Sequence, residues 1–138
     1  MNKFKKKEKD LDILFICNSL NIGGAEKIMY EIVKDTKSYK REIICLTKGS
    51  YYGNLLKNEG IVVTYFNLDK SLKDICKFIK IYLFILSKKP KLIHSFLYHS
   101  DMIASILGKL AFTKTILWSV HHDFIPSDNS VLRNLQVK

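Results

Sequence analysis

Short apolar runs alternate along this chain with segments whose apolar residues recur every three or four positions. Five runs have the length and composition of strands, and they occupy residues 11–17, 41–47, 61–67, 91–96 and 114–120. Helical spacing fills the intervals, because apolar side chains recur there at i, i+3, i+4 and i+7. No tight-turn pair such as Asn-Gly joins two of the runs. The alternation therefore predicts βαβ units with right-handed crossovers and an α/β fold built on a parallel sheet.

The predicted architecture is a single Rossmann-like domain, with a parallel sheet of about five strands and helices on both faces. A length of 138 residues suits one domain, and 47% hydrophobic residues is a globular composition. We expect a basic, disordered tail at 1–10, the α/β domain at 11–124, and the start of a further helix or linker at 125–138.

The most apolar predicted helix lies at about 72–88. It carries a stripe of seven residues that we expect to pack against the sheet: Leu72, Ile75, Cys76, Ile79, Tyr82, Leu83 and Leu86. Its apolar core has only 13 residues, at 75–87, and Lys77 and Lys80 interrupt it, whereas a membrane span needs about 20. Docking of the same helix to an anionic membrane surface is the alternative to packing.

The formal net charge is +10, which either selects anionic partners or only keeps a lysine-rich surface soluble. Such partners include phosphate-bearing ligands, acidic membranes and nucleic acid, but no nucleic-acid-binding motif is present, so no nucleic-acid partner is expected. Three cysteines without a Cys-x-x-Cys pair argue for a reducing compartment. Because no signal-peptide pattern is present, we expect a cytoplasmic protein that can contact the inner face of the membrane.

The stretch NSLNIGGAEK, residues 18–27, leaves the first predicted strand and opens the first helix. In a parallel sheet this loop lies at the carboxyl ends of the strands, where ligands bind. Gly23 and Gly24 would let a phosphate or a sugar approach the backbone, although a tight strand-to-helix turn explains two glycines equally well. Asn21 belongs to the same loop, and Glu26 is either a ligand contact or a complement to the helix dipole.

All four histidines are expected at this carboxyl edge. His94 closes the fourth predicted strand, His99 opens the next helix, and His121, His122 and Asp123 follow the fifth strand. Zinc is a conceivable ligand of such residues, but hydrogen bonds to a polyhydroxylated ligand suit them better, and no metal or other cofactor is expected. The sequence lacks G-x-G-x-x-G, Walker A and G-x-S-x-G motifs, which argues against nicotinamide enzymes, P-loop NTPases and serine hydrolases.

Four stretches together resemble the N-terminal domain of family 4 glycosyltransferases, which have the two-Rossmann-domain GT-B architecture. The stretches are ILFICNSLNIGGAEKIMYEIVK, LTKGSYYGNLLKNEGIVVTYFNL, KPKLIHSFLYHSDMIASILGKLA and ILWSVHHD, and they run in family order from about Asp12 to Phe124. The resemblance implies transfer of a sugar from a nucleotide-sugar to an acceptor, usually with retention and without a required metal. It implies that this domain holds the acceptor, a glycan or lipid-linked saccharide of envelope or capsule polysaccharide synthesis.

By that resemblance, Gly23 and Gly24 approach the donor diphosphate and the reaction centre. His121 matches the histidine that points at the transferred sugar, so it is the expected catalytic residue. His94 and His99 match supporting or acceptor-side residues.

Two departures from the family matter. Phe96 stands where many members have a second histidine or another polar group, and the second domain, whose E-x7-E region binds the donor, is not in this sequence. We therefore expect a truncated or split retaining hexosyltransferase, inactive alone and completed by a separately encoded C-terminal half. The alternative is a stand-alone flavodoxin-like binding or regulatory module.

Overall fold

The computed structural model describes residues 10–49, 51–68 and 74–119. Strands and helices alternate throughout, and each lies within a few residues of its predicted position. In chain order they are β1 (Ile13–Cys17), α1 (Gly24–Asp35), β2 (Arg41–Cys45), α2 (Tyr51–Asn58), β3 (Val62–Tyr65), α3 (Asp74–Lys88), β4 (Leu92–Phe96), α4 (Tyr98–Leu110) and β5 (Thr115–Ser119). Of the predicted tail at 1–10 only Asp10 is described, and the segment predicted at 125–138 lies outside the described residues.

The five strands form one sheet in the order β3-β2-β1-β4-β5, and all neighbouring pairs are parallel. The central strand β1 places Ile13 beside Arg41 of β2 and beside Leu92 of β4. The fold-class prediction of a single Rossmann-like α/β domain is confirmed. The flavodoxin-like strand order of the alternative is wrong, because in that order β1 lies between β2 and β3, whereas here it lies between β2 and β4. The stand-alone binding or regulatory role of the alternative stays a prediction.

Two hydrophobic clusters cover the two faces of the sheet. Alternate residues of β1 divide between them, since Phe15 belongs to one cluster and Leu14 to the other. The Phe15 cluster includes buried residues of α1 and α2, and the Leu14 cluster includes buried residues of α3 and α4. Every residue of β1 is therefore buried, as expected for a central strand that is covered on both sides.

Helix α3 turns a different face to the sheet from the one predicted. Ile75, Ile79 and Leu83 were expected in the core but are 60%, 53% and 56% exposed, whereas Ile81 and Ile85 are fully buried. The prediction is wrong because α3 is apolar on more than one face. Both sets have helical i, i+4 spacing, so periodicity alone does not decide which set is buried. No helix in the described part of the chain is long and apolar enough to cross a membrane.

Candidate functional site

A small crevice lies at the carboxyl edge of the sheet, where the strand order reverses between β1 and β4. Ser19 and Glu26 line it from the β1–α1 side, and Leu97 lines it from the β4–α4 side. Leu97 has φ 74° and ψ 151°, a backbone conformation that a branched residue rarely adopts and that costs about 1–3 kcal/mol. Such strain is typical of ligand-binding edges, and here it lies at the connection that borders the crevice.

The two glycines of the β1–α1 loop have different surroundings. Gly23 caps α1 in an extended conformation, φ −171° and ψ 165°, without a side-chain cap hydrogen bond. A Cβ on Gly23 would overlap Glu26 Oε2 and lie 3.1 Å from Glu26 Cδ. Gly24 is exposed, and a Cβ built there would have nothing within 4 Å among the described residues. The N-terminus of α1 is therefore open at Gly24 and covered by a carboxylate at Gly23.

Glu26 is held in the first turn of α1 by a second residue of the loop. Ser19 Oγ donates a hydrogen bond of 2.8 Å to Glu26 Oε1. A carboxylate in this turn complements the helix dipole. Glu26 is half-buried and lines the crevice, which has no room for a water molecule, so a ligand would have to reach this carboxylate from the exposed side of the loop. Asn21 lies on the same loop and is exposed.

His94 is a core residue of β4 and does not close the strand. The strand continues through Phe96, and His94 is only 7% exposed. Its Nε2 lies 2.7 Å from Ser119 Oγ of β5, and its ring centroid lies 4.4 Å from that of Phe96 and 5.6 Å from that of Phe15. The expected place of His94 at the strand end is therefore wrong, and its position is that of a packed residue joining β4 to β5.

His99, the second residue of α4, is exposed and lines a different site that the sequence did not predict. We call this site the α3–α4 groove; its volume is about 550 Å³. Its lining residues are Asn18, Leu46, Thr47, Leu68, Asp74, Phe78, His99, Met102, Ile103, Ile106 and Leu107. Asn18 directly precedes Ser19, so the groove and the crevice meet at the β1–α1 loop.

The polar residues of the groove are tied to the loops around it. Thr47 Oγ1 donates a hydrogen bond of 2.8 Å to the Asn18 carbonyl, which fixes the start of the β1–α1 loop to the end of β2. Asp74 is 3.0 Å from Lys77 Nζ, and the same ammonium donates to the Asn67 carbonyl. The apolar lining of the groove comes mostly from α4, and α3 contributes only Asp74 and Phe78, so the excess of apolar residues on α3 is not a signal for the groove.

Two thiols lie below the loop, on adjacent strands. Cys17 and Cys45 are partners in the β1–β2 register and are both buried. A hydrogen bond between them, with burial, raises the pKa of Cys17 well above its usual value, and the same bond lowers the pKa of Cys45. No group of three or more His, Cys, Asp or Glu residues that could hold a metal ion occurs in the described ranges.

The predicted site residues thus divide into four groups. Gly23, Gly24 and Glu26 come together on one loop, as does exposed Asn21. His99 lies beside Asn18 on the neighbouring groove, and His94 lies in the core. The described part of the chain ends at Ser119 of β5. Three predicted residues lie outside it, namely His121, His122 and Asp123.

Comparison with known proteins gives structural likeness only. No protein-family model and no curated protein matches the sequence. The crystal structure of Anabaena Alr3699/HepE in complex with UDP matches with a TM-score of 0.67 and 21% identity, over 87% of this chain and 32% of that chain. The fold is that of a Rossmann-like half of the GT-B architecture. HepE structures with UDP-glucose, and with UDP and glucose, match with TM-scores of 0.66 and 0.61, each at 19% identity.

The matches cover most of this chain but a minor part of HepE. The UDP-glucose complex is matched over 84% of this chain and 30% of HepE, and the complex with UDP and glucose over 76% and 28%. The chain therefore spans about a third of the length of the structures that it resembles.

Proposed function

We propose that this chain is the acceptor-side part of a family 4 glycosyltransferase that moves a sugar from a nucleotide-sugar to a glycan or lipid-linked acceptor. The observation that carries the proposal is the open N-terminus of α1 at Gly24, on the loop that leaves the central strand where the strand order reverses. HepE, which shares the fold, was crystallised with UDP, with UDP-glucose, and with UDP and glucose. That likeness supports a nucleotide-sugar as the ligand of the edge.

In the proposed mechanism the first turn of α1 stabilises the leaving diphosphate. The bond between the sugar and the nucleoside diphosphate breaks with the electron pair going to the diphosphate oxygen, so negative charge develops there. The acceptor hydroxyl oxygen forms the new bond to the anomeric carbon, and its proton passes to the departing diphosphate. Backbone N–H groups at a helix N-terminus can bind that charge without a metal ion, and Gly24 leaves room for the approach. We thus propose metal-independent transfer.

The polar residues around the crevice would orient the sugar. Glu26 and Asn21 would hydrogen-bond donor hydroxyl groups, and His99 would contact the acceptor. By the family resemblance, His121 would face the transferred sugar, with His122 and Asp123 beside it. Holding donor and acceptor in register can supply about 7–11 kcal/mol of the barrier, which is the main contribution that such a cleft makes.

We further propose that the reaction belongs to envelope or capsule polysaccharide synthesis, on the cytoplasmic side of a membrane. The charge of +10 supports an anionic partner, either the nucleotide-sugar or the membrane that carries the acceptor.

Binding of UDP-glucose by the purified chain, followed by calorimetry, tests the proposal. We expect weak binding, with a dissociation constant of about 1 mM or a binding free energy of about −4 kcal/mol, because under this proposal the chain supplies only one wall of the cleft. Gly24→Val should weaken binding by about tenfold, because a branched side chain would fill the open approach to the backbone. Ser38→Val, an exposed position just after α1, is the matched control and should bind as the wild type does. Equal binding by both variants would contradict the assigned role of Gly24.

A further inference from the structure

We propose that strand β5 and helix α4 bind an extended segment of a partner polypeptide, which adds a strand to the open edge of the sheet. The segment has apolar side chains at alternate positions and an acidic side chain at one end. The inference follows from the backbone groups of β5, the hollow beside it and the charge of that hollow. It does not rest on the proposed sugar transfer, so the two stand or fall separately.

The backbone of β5 presents hydrogen-bonding groups on its outer edge. This strand ends the sheet, and no strand in the described part of the chain pairs with its outer side. The Ser119 carbonyl accepts a hydrogen bond from Leu97 N–H and therefore points toward β4. Because backbone groups of successive residues alternate in direction along a strand, Ile116 and Trp118 turn their N–H and C=O groups outward. Another extended backbone is the natural complement of such a row.

The edge at β5 lacks the features by which proteins protect edge strands, namely charged side chains, proline or a covering segment. Its sequence, TILWS, has neither a charge nor a proline, and Thr115, Leu117 and Trp118 are exposed. The opposite edge strand, β3, exposes only Val62. Leu117 and Trp118 are 48% and 56% exposed and lie on opposite faces of the sheet, since they are consecutive in a strand. An added strand would therefore cover apolar side chains on both faces.

A hollow of about 440 Å³ lies between β5 and α4, and we call it the β5–α4 hollow. Its lining includes Tyr98, Met102, Ser105, Ile106 and Lys109 of α4 and Trp118 of β5. Side chains of a strand added beside β5 would enter the hollow at every second position, because alternate side chains face the same side of a sheet. Most of these lining side chains are apolar or aromatic. The hollow therefore selects an extended segment with apolar side chains at alternate positions.

The exposed charge of the hollow is positive. Lys109 lines the hollow, is exposed, and has no ion-pair partner among the described residues. Asp101 also lines the hollow, but it is only 6% exposed and accepts a 2.6 Å hydrogen bond from Ser95 Oγ. An acidic side chain of the partner would therefore meet the ammonium group. The net charge of +10 also favours an acidic partner over a second copy of this chain, which would carry the same charge.

The fluorescence of Trp118, the only tryptophan of the 138-residue chain, reports occupancy of the hollow directly. On titration with the heptapeptide acetyl-EVTVTVE-amide we expect a saturable emission shift to shorter wavelength, with a dissociation constant of about 0.1 mM, because the half-exposed indole becomes buried. Absence of the shift overturns the inference, whether residues 120–138 of the same chain or a second copy occupies the edge.

Two comparisons check the charge and the kind of partner. The peptide acetyl-KVTVTVK-amide should bind at least about threefold more weakly, because its lysines repel Lys109. Equal binding of the two peptides would overturn the assigned acidic preference. An emission shift that grows with protein concentration in the absence of peptide would assign the edge to a second copy and overturn the inference.

Two N-methylated forms of the acidic peptide test whether its backbone pairs with β5. One form is methylated at the valine amides and the other at the threonine amides. Since N–H groups alternate in direction along a strand, one set faces β5 and the other faces away. Methylation of the facing set should weaken binding by at least about tenfold, and methylation of the other set should leave it unchanged. Equal effects of the two methylations overturn the inference.

One pair of variants locates the peptide site. Ser105→Phe fills the β5–α4 hollow with an aromatic ring and should weaken binding of the acidic peptide by at least about tenfold. Ser38→Phe makes the same change at an exposed position just after α1 and should bind as the wild type does. Both variants keep Trp118 as the only tryptophan and are checked for folding by circular dichroism. Undiminished binding by folded Ser105→Phe overturns the inference.

Discussion

Replacing each loop glycine by alanine should change stability in opposite directions, although the two residues are neighbours. Gly24→Ala adds a Cβ with nothing within 4 Å of it in the described structure, whereas Gly23→Ala adds one that overlaps the Glu26 carboxylate. We expect Gly24→Ala to raise the free energy of unfolding and Gly23→Ala to lower it. The difference tests whether the Glu26 carboxylate really covers the helix cap.

The magnitudes follow from the contacts of the loop. Gly24→Ala restricts the unfolded chain and places a better helix former in α1, which is worth about 0.5–1 kcal/mol. Gly23→Ala gains about the same from the unfolded chain, but the flexible end of Glu26 must move and weaken its part-exposed 2.8 Å hydrogen bond from Ser19, at about 0.5–1.5 kcal/mol. Alanine is also a poorer N-cap than glycine by up to about 1 kcal/mol. Gly23→Ala should therefore destabilise the protein by about 0.5–1 kcal/mol.

Urea unfolding at neutral pH measures both changes, with the slope of the transition as a check that the unfolded state is unaltered. A double-mutant cycle with Glu26→Ala isolates the carboxylate. Once Glu26 is removed, Gly23→Ala should cost no more than the N-cap preference, because the hydrogen bond to Ser19 is already gone. Equal effects of Gly23→Ala with and without Glu26, or equal effects of the two glycine substitutions, would refute this reasoning.

Three further predictions concern the framework. Gly108→Ala should lower the free energy of unfolding by about 1 kcal/mol, since its Cβ would lie 2.9 Å from Ile116 Cδ1 and 3.0 Å from Ile93 Cδ1. A higher free energy of unfolding, measured in urea, would contradict this prediction. Ser95→Ala removes a 2.6 Å hydrogen bond to buried Asp101 and should lower the free energy of unfolding by about 1–3 kcal/mol. An unchanged midpoint of thermal unfolding would contradict this prediction. The hydrogen bond from Lys91 lowers the pKa of Asp12 below 3.8, so its stabilisation is present above that pH and is lost as the pH falls through the lowered pKa. Lys91→Met should flatten this acid dependence in urea unfolding between about pH 5 and pH 2, and an unchanged dependence contradicts the assignment.

The elements of the fold could be predicted from the sequence because local pattern and tertiary structure agree there. The run at Ile13–Cys17 is apolar at every position, as a strand covered on both faces must be. The order of the strands could not be derived in the same way, because it depends on pairing between distant segments. The flavodoxin-like strand order was wrong for this reason, although strands and helices alternate in both folds.

The errors in detail have physical causes as well. Helix α3 has two apolar stripes, and only packing against the sheet distinguishes buried Ile81 from exposed Ile79. His94 was placed at the end of β4, but the strand continues to Phe96. The hydrogen bond of His94 with Ser119 satisfies the ring inside the core, and that partner lies 25 residues away.

The candidate site could be predicted in part. The place of the glycine loop could be predicted because its residues are consecutive and the loop follows β1, whereas its role in binding remains a prediction. The α3–α4 groove was not found, because it forms between helices whose lining residues, such as Phe78 and Ile103, are distant in sequence. The predictions for His121, His122 and Asp123 remain predictions.

Titration of the isotope-labelled chain with UDP-glucose, followed by backbone amide NMR, tests most directly whether the glycine loop approaches the donor diphosphate. We predict the largest chemical-shift changes at the backbone amides of Gly23, Gly24 and Ala25, with smaller changes at those of Ser19 and Glu26. Shift changes confined to other parts of the molecule, or none at ligand concentrations that saturate a site of about 1 mM affinity, would contradict it.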